Sequence, residues 1–219
     1  MPNADLALGW NSDDLSAHLP VSAVEEFRKG DSIYGPDAPA VGLYLVLSGN
    51  VKVSRVAPDG REVVLDVYCR DDFFGESALA GGPGGETAAA LTETRIMSWT
   101  AAALRELVHK RPELASALLS LAVVRARDFG VRIESLCNDN IEKRLAAALL
   151  HFAERLGTES ADGGLEMISF THALLAQYVG TSREIVTHYM NDFRRRGSLD
   201  YSRRSITVFS KKWTADLVR

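Results

Sequence analysis

FTHALLAQYVGTSREIVTHYMNDFRRRG, residues 170–197, is the stretch that decides the C-terminal fold. Thr171 can cap a short helix, and Gly180 can take the left-handed conformation that ends it. The run TSRE, residues 181–184, matches a capping box that begins a second helix. Two short helices joined by a tight glycine turn predict a helix-turn-helix, whose second helix can enter a DNA major groove.

The second helix of this motif has one apolar face and one polar face. We expect it to bury Ile185, Val186, Tyr189 and Met190, with Phe193 as a further candidate. The first turns then expose side chains that can reach DNA: Ser182, Arg183, Glu184, Thr187 and His188. Thr171, at the start of the first helix, is a further candidate for a DNA contact. Arginine can donate two hydrogen bonds to guanine, and glutamate can accept one from cytosine. Glu184 can instead simply close its capping box, so both roles stay open.

LDYSRRSITVF follows the motif and reads as two short strands around residues 202–205. This pattern predicts a wing with Arg203 and Arg204 at its tip for phosphate contacts. The run RRR at 194–196 either meets DNA or is a solvated face that complements the helix dipole. From Asn140 onward we count 12 basic and 9 acidic residues, a charge of +3, so the remaining 13 basic and 20 acidic residues give −7. This division indicates that the C-terminal part meets a polyanion.

The segment from Val24 to Thr100 has the pattern of short strands separated by tight turns. Pro58-Asp59-Gly60 separates two alternating runs and predicts a β-hairpin. Closely spaced strands of this kind favour a small sandwich or jelly roll. Before them, residues 1–20 predict an irregular helix at the edge.

Helices begin at Thr100, with a short one over 101–109 and a long one from Pro112 to about Asn138. The long helix carries an apolar stripe: Leu114, Ala117, Leu118, Leu121, Val124, Val131 and Leu136. We expect it to form a parallel dimer seam that buries Leu118, Leu121 and Val124. One face can instead pack on the β domain, and three charged residues, Arg125, Asp128 and Arg132, interrupt the seam. CNDN, 137–140, predicts a hinge before another helix, and TESADGG a surface loop.

Several classes of function lack the residues that they need. The five histidines have no metal-ligand spacing, no serine lies in a nucleophile elbow, and GGPGG lacks the lysine of a phosphate loop. We therefore expect no catalysis, no metal and no cofactor. Cys69 and Cys137 are either reduced thiols or a redox sensor, and they cannot ligate an all-cysteine cluster. No apolar run approaches the ~20 residues of a membrane span, and no signal peptide is evident, so we expect a cytoplasmic protein.

The chain resembles the cyclic-AMP receptor protein / fumarate-nitrate regulator superfamily over nearly its whole length. The resemblance rests on GLYLVLSGNVKV, FFGESAL, the long helix after HKRPEL, the hinge at Asn140, and GTSREIV. It implies an α+β fold with a β-roll sensor domain (1–111), a dimerisation helix and hinge (112–139) and a winged helix-turn-helix domain (140–219). It also implies a homodimeric transcription regulator of double-stranded promoter DNA, with RNA polymerase as a partner. The implied DNA site is palindromic.

The same resemblance implies roles for individual DNA-binding residues. Arg183, Glu184 and His188 fall on base contacts, and Ser182 falls on a phosphate contact. His188 stands where the family usually has arginine, so we expect its base pair to be read loosely.

The resemblance also implies an effector pocket formed by Gly75, Glu76, Ser77, Glu86, Thr87 and Phe129. Glu76 matches a carboxylate that accepts from ribose, or it fixes the loop through backbone bonds. Thr87 matches a phosphate-binding hydroxyl, whereas Glu86 replaces a phosphate-binding arginine and inverts its charge. Phe129 and Gly130 lack the hydroxyls that contact adenine. We therefore expect a degenerate or repurposed pocket with an unknown effector.

Two further hypotheses remain beside that expectation. One is a true cyclic-nucleotide-responsive regulator of the same fold, which affinity for cyclic AMP and cyclic GMP would identify. The other is a nonspecific, chromatin-like DNA binder, which a salt-resistant preference for one palindrome would exclude.

Overall fold

The computed structural model describes residues 15–81, 85–209 and 213, so most of the helix expected in residues 1–20 lies outside the described part. The chain divides into two compact units. The first comprises the chain up to Val56 together with 67–130, and the second comprises 57–66 together with 131–219. Residues 57–66 therefore group with the C-terminal part of the chain rather than with the strands on either side of them in sequence. The segment boundaries at 111/112 and 139/140 stay a prediction.

The N-terminal strands form the expected β-roll of two antiparallel sheets. The strands are β1 (Val24–Phe27), β2 (Ser32–Tyr34), β3 (Gly42–Ser48), β4 (Val51–Val56), β5 (Glu62–Tyr68), β6 (Phe73–Phe74), β7 (Glu86–Ala90) and β8 (Thr94–Thr100). Their orders are β1-β8-β3-β6 and β2-β7-β4-β5. The hairpin predicted at 58–60 is confirmed, since the Ala57 amide donates to the Arg61 carbonyl over 2.8 Å.

One glycine sets the geometry of the loop that follows β6. Gly75 has φ +86°, and a Cβ there would lie 2.6 Å from the Tyr44 ring and 2.8 Å from the Gly42 carbonyl oxygen. Only glycine fits this combination of positive φ and close approach. It precedes a 3₁₀ helix, Glu76–Ala80, which carries the predicted pocket residues Glu76 and Ser77.

In the described part of the first unit, two helices follow the strands, and the second of them passes into the second unit. Helix α1 (Ala101–Lys110) is capped by Thr100, whose hydroxyl accepts from the Ala103 amide. Helix α2 (Glu113–Asn138) buries Leu114, Ala117 and Leu121 in the core that also holds Phe73 and Trp99.

Leu121 requires a correction to the expected dimer seam. It is 1% exposed within a single chain, so its side chain packs in the protomer's own core and is not accessible to a second chain. Leu118 and Val124 are half-buried on the flanks of the same face. The apolar stripe predicted from sequence is the face of α2 that covers the β-roll. Periodicity could not identify the partner, because a β-roll and a second helix both require apolar residues on the contacting face.

The second unit contains the remaining helices and a small antiparallel sheet. Helix α3 (Ile141–Leu156) begins after Asn140, whose side chain accepts from the Lys143 amide, so the helix break expected at the hinge is present. The first strand of the sheet, β9 (Thr158–Glu159), lies inside the segment expected to be a loop. The other strands are β10 (Leu165–Ile168), β11 (Leu199–Tyr201) and β12 (Ser205–Val208), and the order in the sheet is β11-β12-β10-β9. Helices α4 (His172–Val179) and α5 (Arg183–Arg195) form the helix-turn-helix.

Candidate functional site

The turn between α4 and α5 is built from local caps. The Thr171 hydroxyl accepts from the Leu174 amide over 3.1 Å, and Gly180 has φ +76°. The Gly180 and Thr181 amides both donate to the Ala176 carbonyl, which closes the end of α4. Because Thr181 still belongs to this closure, α5 is capped one residue later, by Ser182, whose hydroxyl accepts from the Ile185 amide. The predicted capping box between Thr181 and Glu184 is therefore wrong in register.

The first turns of α5 present the expected polar side chains. Ser182, Arg183, Glu184 and His188 are exposed, and Thr187 is half-buried. The expected burial of Ile185 is wrong, since it is 37% exposed; the buried residues of α5 are Val186, Met190 and Phe193.

The carboxyl group of Glu184 is ionised and accepts local hydrogen bonds. The bond from its own backbone amide, and to a smaller extent the bond from the Ser182 hydroxyl, hold the pKa of Glu184 below its ordinary value. Neighbouring Arg183 acts in the same direction. An ionised glutamate can only accept hydrogen bonds, which suits the amino group of cytosine.

Thr187 is held by two contacts that sequence reasoning missed. Its hydroxyl donates to the Arg183 carbonyl over 2.9 Å and lies 2.8 Å from His172 Nδ1. Burial, and then the Arg183 charge, lowers the pKa of His172. His172 also packs edge-on against Tyr201, whose hydroxyl donates to the Asn191 side chain. The position of His172 directly after the capping threonine was the only sequence signal for it.

The wing has the predicted arginines at its tip. The Ser202 amide donates to the Ser205 carbonyl over 2.9 Å, and this turn leaves Arg203 and Arg204 exposed between β11 and β12. The arginine run at 194–196 is different, since each member pairs with an acid. The pairs are Arg194–Asp200 at 2.9 Å, Arg195–Asp192 at 3.0 Å and Arg196–Glu142 at 2.9 Å. The run therefore stabilises its own surface, with small energies typical of exposed pairs.

Three predicted pocket residues come together in the first unit. The Ser77 hydroxyl donates to the Glu86 carboxylate over 2.7 Å, and the Arg55 guanidinium lies 3.4 Å from the other carboxylate oxygen. The Glu86 side chain is only 14% exposed. Thr87 lies beside it on β7, with its hydroxyl 2.9 Å from that of Ser54. Sequence reasoning missed Arg55 and Ser54, which come from the neighbouring strand β4.

Glu76 faces a different cation. Its carboxylate lies 3.5 Å from Arg125 Nε, and Arg125 also donates to the Phe73 carbonyl and lies over the Tyr68 ring. Arg125, expected to interrupt an apolar stripe, thus lies on the inward face of α2. Phe129 is 40% exposed on the same helix.

An aromatic cluster underlies the pocket. Tyr34, Tyr44 and Phe74 pack with ring centroids 5.2–6.1 Å apart. The Tyr34 hydroxyl is buried and has no hydrogen-bond partner among the described residues. Burial, followed by the charge of Glu86, raises the pKa of Tyr34, so this hydroxyl remains protonated. Residues 82–84, in the centre of GGPGG, lie outside the described residues.

The residues that the structure describes contain neither a cluster of metal ligands nor a helix suited to span a membrane. No group of three or more histidine, cysteine, aspartate or glutamate side chains there could hold a metal ion. Within the same residues no helix combines the length and apolar character needed to cross a membrane.

Comparisons with known proteins match both parts of the chain. Residues 24–111 match the cyclic nucleotide-binding domain, and residues 143–212 match the Crp-like helix-turn-helix domain. A CRP-like cAMP-activated global transcriptional regulator from Mycobacterium tuberculosis is 34% identical over 186 residues, which cover 84% of this chain and 82% of the relative. The global nitrogen regulator of Synechococcus elongatus is 29% identical, with 89% of each chain covered.

Solved structures share the fold. FixK2 from Bradyrhizobium japonicum superposes with a TM-score of 0.79 and 22% identity, covering 91% of this chain and 98% of its own. The relatives with assigned activities are transcription regulators and not enzymes, in agreement with the absence of catalytic motifs in the sequence. The chain belongs to the CRP/FNR family of DNA-binding transcription regulators.

Proposed function

We propose that this regulator acts as a homodimer that reads a palindromic promoter site and does not depend on cyclic AMP. The observation that carries the proposal is the exposed first turn of α5, where Arg183 and Glu184 stand side by side beyond the Ser182 cap. Together they offer a bidentate donor for guanine and an ionised acceptor for cytosine. RNA polymerase is the partner expected of such a promoter-bound protein.

DNA reading would divide between the recognition helix and the wing. Arg183 and Glu184 read base edges, whereas exposed Arg203 and Arg204 contact phosphate and add affinity that does not depend on sequence. His188 is exposed but shorter than arginine, so it reads its base pair loosely. The hydroxyl of Thr187 is engaged by His172, so the methyl group of Thr187 is the part most available to contact a thymine methyl.

A dimer seam is supported by the solvent-facing side of α2. Small and apolar residues recur there at spacings of four and three: Leu119, Val123, Ala126, Gly130, Ile133 and Cys137 are all exposed in a single chain. This is the spacing of a coiled-coil seam, and it lies opposite the face that Leu114 and Leu121 bury. A second copy of the same helix would cover these residues and would give the two recognition helices the two-fold symmetry of a palindrome.

The insensitivity to cyclic AMP rests on Glu86. Its carboxylate already accepts from the Ser77 hydroxyl and faces the Arg55 guanidinium, so this hydroxyl and this cation are engaged by an internal anion. A phosphate brought into this cluster would meet the negative charge of Glu86 at short range. DNA binding is then either constitutive or controlled by a different effector.

A second candidate is a regulator that does respond to a cyclic nucleotide. Glu76 and Thr87 favour it, because they retain the hydrogen-bonding groups that the family uses in this pocket. The Mycobacterium tuberculosis relative, described as cAMP-activated, favours it as well. Glu76 is engaged by Arg125 at 3.5 Å, however, so a ribose hydroxyl would have to share that carboxylate.

Two measurements on the purified protein test the proposal. Selection from random DNA should return an inverted repeat with half-sites about one helical turn apart, ~34 Å, and sedimentation should give a dimer. Titration calorimetry with cyclic AMP and cyclic GMP should give no heat of binding at micromolar concentration. An inverted repeat together with a micromolar nucleotide dissociation constant would establish the second candidate. Equal affinity for all DNA sequences would establish nonspecific binding.

A further inference from the structure

Arg132, in the last two turns of α2, has its guanidinium inside the second unit. It donates to the carbonyl oxygens of Leu65 at 2.6 Å and Val64 at 2.7 Å, and also to that of Tyr178. Its guanidinium carbon lies 4.1 Å from the centroid of the Tyr178 ring. A desolvated cation is costly unless hydrogen bonds compensate it. The three carbonyls and the ring therefore account for the position of this side chain.

The Tyr178 carbonyl belongs to the last turn of α4. Helix α4 ends at Val179, so its final carbonyls lack partners within the helix, and a cation is favourable at this end. Gly180 follows at once and begins the turn into α5. A Cβ at Gly180 would lie 3.6 Å from the Leu136 side chain, which is one turn beyond Arg132 on α2. The end of α2 thus lies next to the turn of the helix-turn-helix.

Residues of strand β5 are tied to the same unit by further side-chain bonds besides those of Arg132. Gln177 of α4 donates to the Glu62 carboxylate over 2.9 Å. Arg155 of α3 donates to the Asp66 carboxylate over 2.9 Å, and both of these side chains are mostly buried. Residues 62–66 are therefore bonded to α2, α3 and α4, which explains why the hairpin groups with the DNA-binding residues.

We propose that Arg132 is a positioning residue for DNA reading: it ties the last turn of α4 to strand β5 and so fixes the orientation in which α5 presents Arg183 and Glu184. Arg132 itself does not reach the exposed face of α5. A planar guanidinium that bonds carbonyls from two segments restricts the movement of both segments. This restriction matters for DNA binding because base contacts tolerate displacements of only ~0.5 Å. The inference rests on sequence-specific DNA binding and does not need the site to be palindromic.

The experiment compares Arg132→Met and Arg132→Lys with a matched control, Arg61→Met. Arg61 lies in the same hairpin, but its side chain is 83% exposed and pairs with Asp59. Fluorescence anisotropy would measure the affinity of each full-length variant for the selected DNA site and for random DNA. Hydrogen exchange would be followed in residues 62–66 and 176–182, and circular dichroism would establish the folded fraction.

Arg132→Met should weaken binding to the selected site at least tenfold and binding to random DNA less than twofold, with faster exchange in both segments. Arg132→Lys should lie between, because an ammonium keeps the charge but cannot span the three carbonyls. Arg61→Met should match the wild type in affinity and exchange.

Three results would overturn the proposal. One is folded Arg132→Met protein with wild-type affinity for the selected site, even at a lower melting temperature, because Arg132 would then be merely structural. Another is an equal loss on selected and random DNA. If Arg132→Met does not fold, unchanged affinity and exchange in Arg132→Lys overturn the proposal in the same way. If the wild-type protein shows no preference among DNA sequences, the result would instead contradict the sequence-specific binding on which the proposal rests.

Discussion

The hydroxyl of Ser77 donates a 2.7 Å hydrogen bond to the carboxylate of Glu86. This bond joins the first turn of the 3₁₀ helix to the start of β7. The glycine-rich segment GGPGG lies between these two elements in sequence. It holds the carboxylate where it is only 14% exposed, rather than swung out into water, with Arg55 as its nearest cation. A ligand phosphate in this cluster would have to displace a bond that the protein already makes.

The first prediction concerns cyclic AMP. At ~4 Å and an effective dielectric of ~20, a pair of like charges costs roughly 4 kcal/mol before relaxation, and Arg55 offsets part of this. Glu86→Arg should therefore raise the affinity for cyclic AMP at least tenfold, and calorimetry would measure it. Glu93→Arg, at an exposed glutamate after β7, is the control and should leave the affinity unchanged. A lower affinity in Glu86→Arg would place the phosphate elsewhere.

The second prediction concerns base reading. Arg183→Ala should lose about 1–3 kcal/mol of binding free energy, concentrated at one G·C pair of the selected site. Arg204→Ala, at the wing tip, should weaken all sequences alike and reduce the salt dependence. Binding assays on the selected site, on single-base variants and on random DNA would measure both. An equal loss for Arg183→Ala on every sequence would assign that residue to phosphate instead of base contacts.

The third prediction concerns the dimer. Val123 is 55% exposed on the proposed seam, and an aspartate there would become an unpaired buried charge in a dimer. Val123→Asp should give folded monomers in sedimentation at micromolar concentration, with a normal circular dichroism spectrum. Val41→Asp, at a valine that is 56% exposed outside the helix, is the matched control and should remain dimeric. Leu121→Asp should instead unfold the first unit, because Leu121 is buried in its core.

The fourth prediction concerns pH. Burial lowers the pKa of His172 from its ordinary 6.5, so the unfolded chain binds the proton more tightly than the folded one. The free energy of unfolding should consequently fall as the pH drops from about 6.5 towards the lower pKa that His172 has in the folded protein. Above pH 6.5 the histidine is neutral in both states, and this destabilisation is absent. His172→Asn keeps a hydrogen-bonding group near Thr187 but does not titrate. Thermal unfolding across this range should show a smaller loss in His172→Asn than in the wild type; identical slopes would contradict the assignment.

The fifth prediction concerns the loop after β6. Gly75 and Gly60 both have positive φ, +86° and +82°, but only Gly75 has neighbours within 4 Å of a built Cβ. Gly60→Ala should cost about 1–2 kcal/mol of unfolding free energy from backbone strain alone. Gly75→Ala should cost a further ~1–3 kcal/mol because the methyl group overlaps the Tyr44 ring. Chemical denaturation would measure both, and equal costs would show that the loop can shift.

Local features of this chain could be predicted because their causes are local. The turn at 58–60, the start of a helix after Thr100, the break at Asn140 and the Gly180 turn each depend on residues within a few positions of one another. The helix-turn-helix and wing followed from such signals, and their register was wrong only where Thr181 and Ser182 competed for the same cap. The family resemblance supplied the pairing of a β-roll with that domain.

Tertiary structure decided which groups face each other across long stretches of chain. Arg132 bonds to Leu65, 67 residues away, and Arg55 faces Glu86, 31 residues away on the neighbouring strand. Helix α2 is apolar on two faces, so its sequence alone could not tell which face covers the core. Leu121 was therefore expected at a dimer seam, whereas it lies in the core of the first unit. Sequence determined the residue types, the helix and strand periods and the caps. The enclosure of Arg132, Arg125 and Glu86 arose only from packing, because burial depends on neighbours that the sequence does not place next to them.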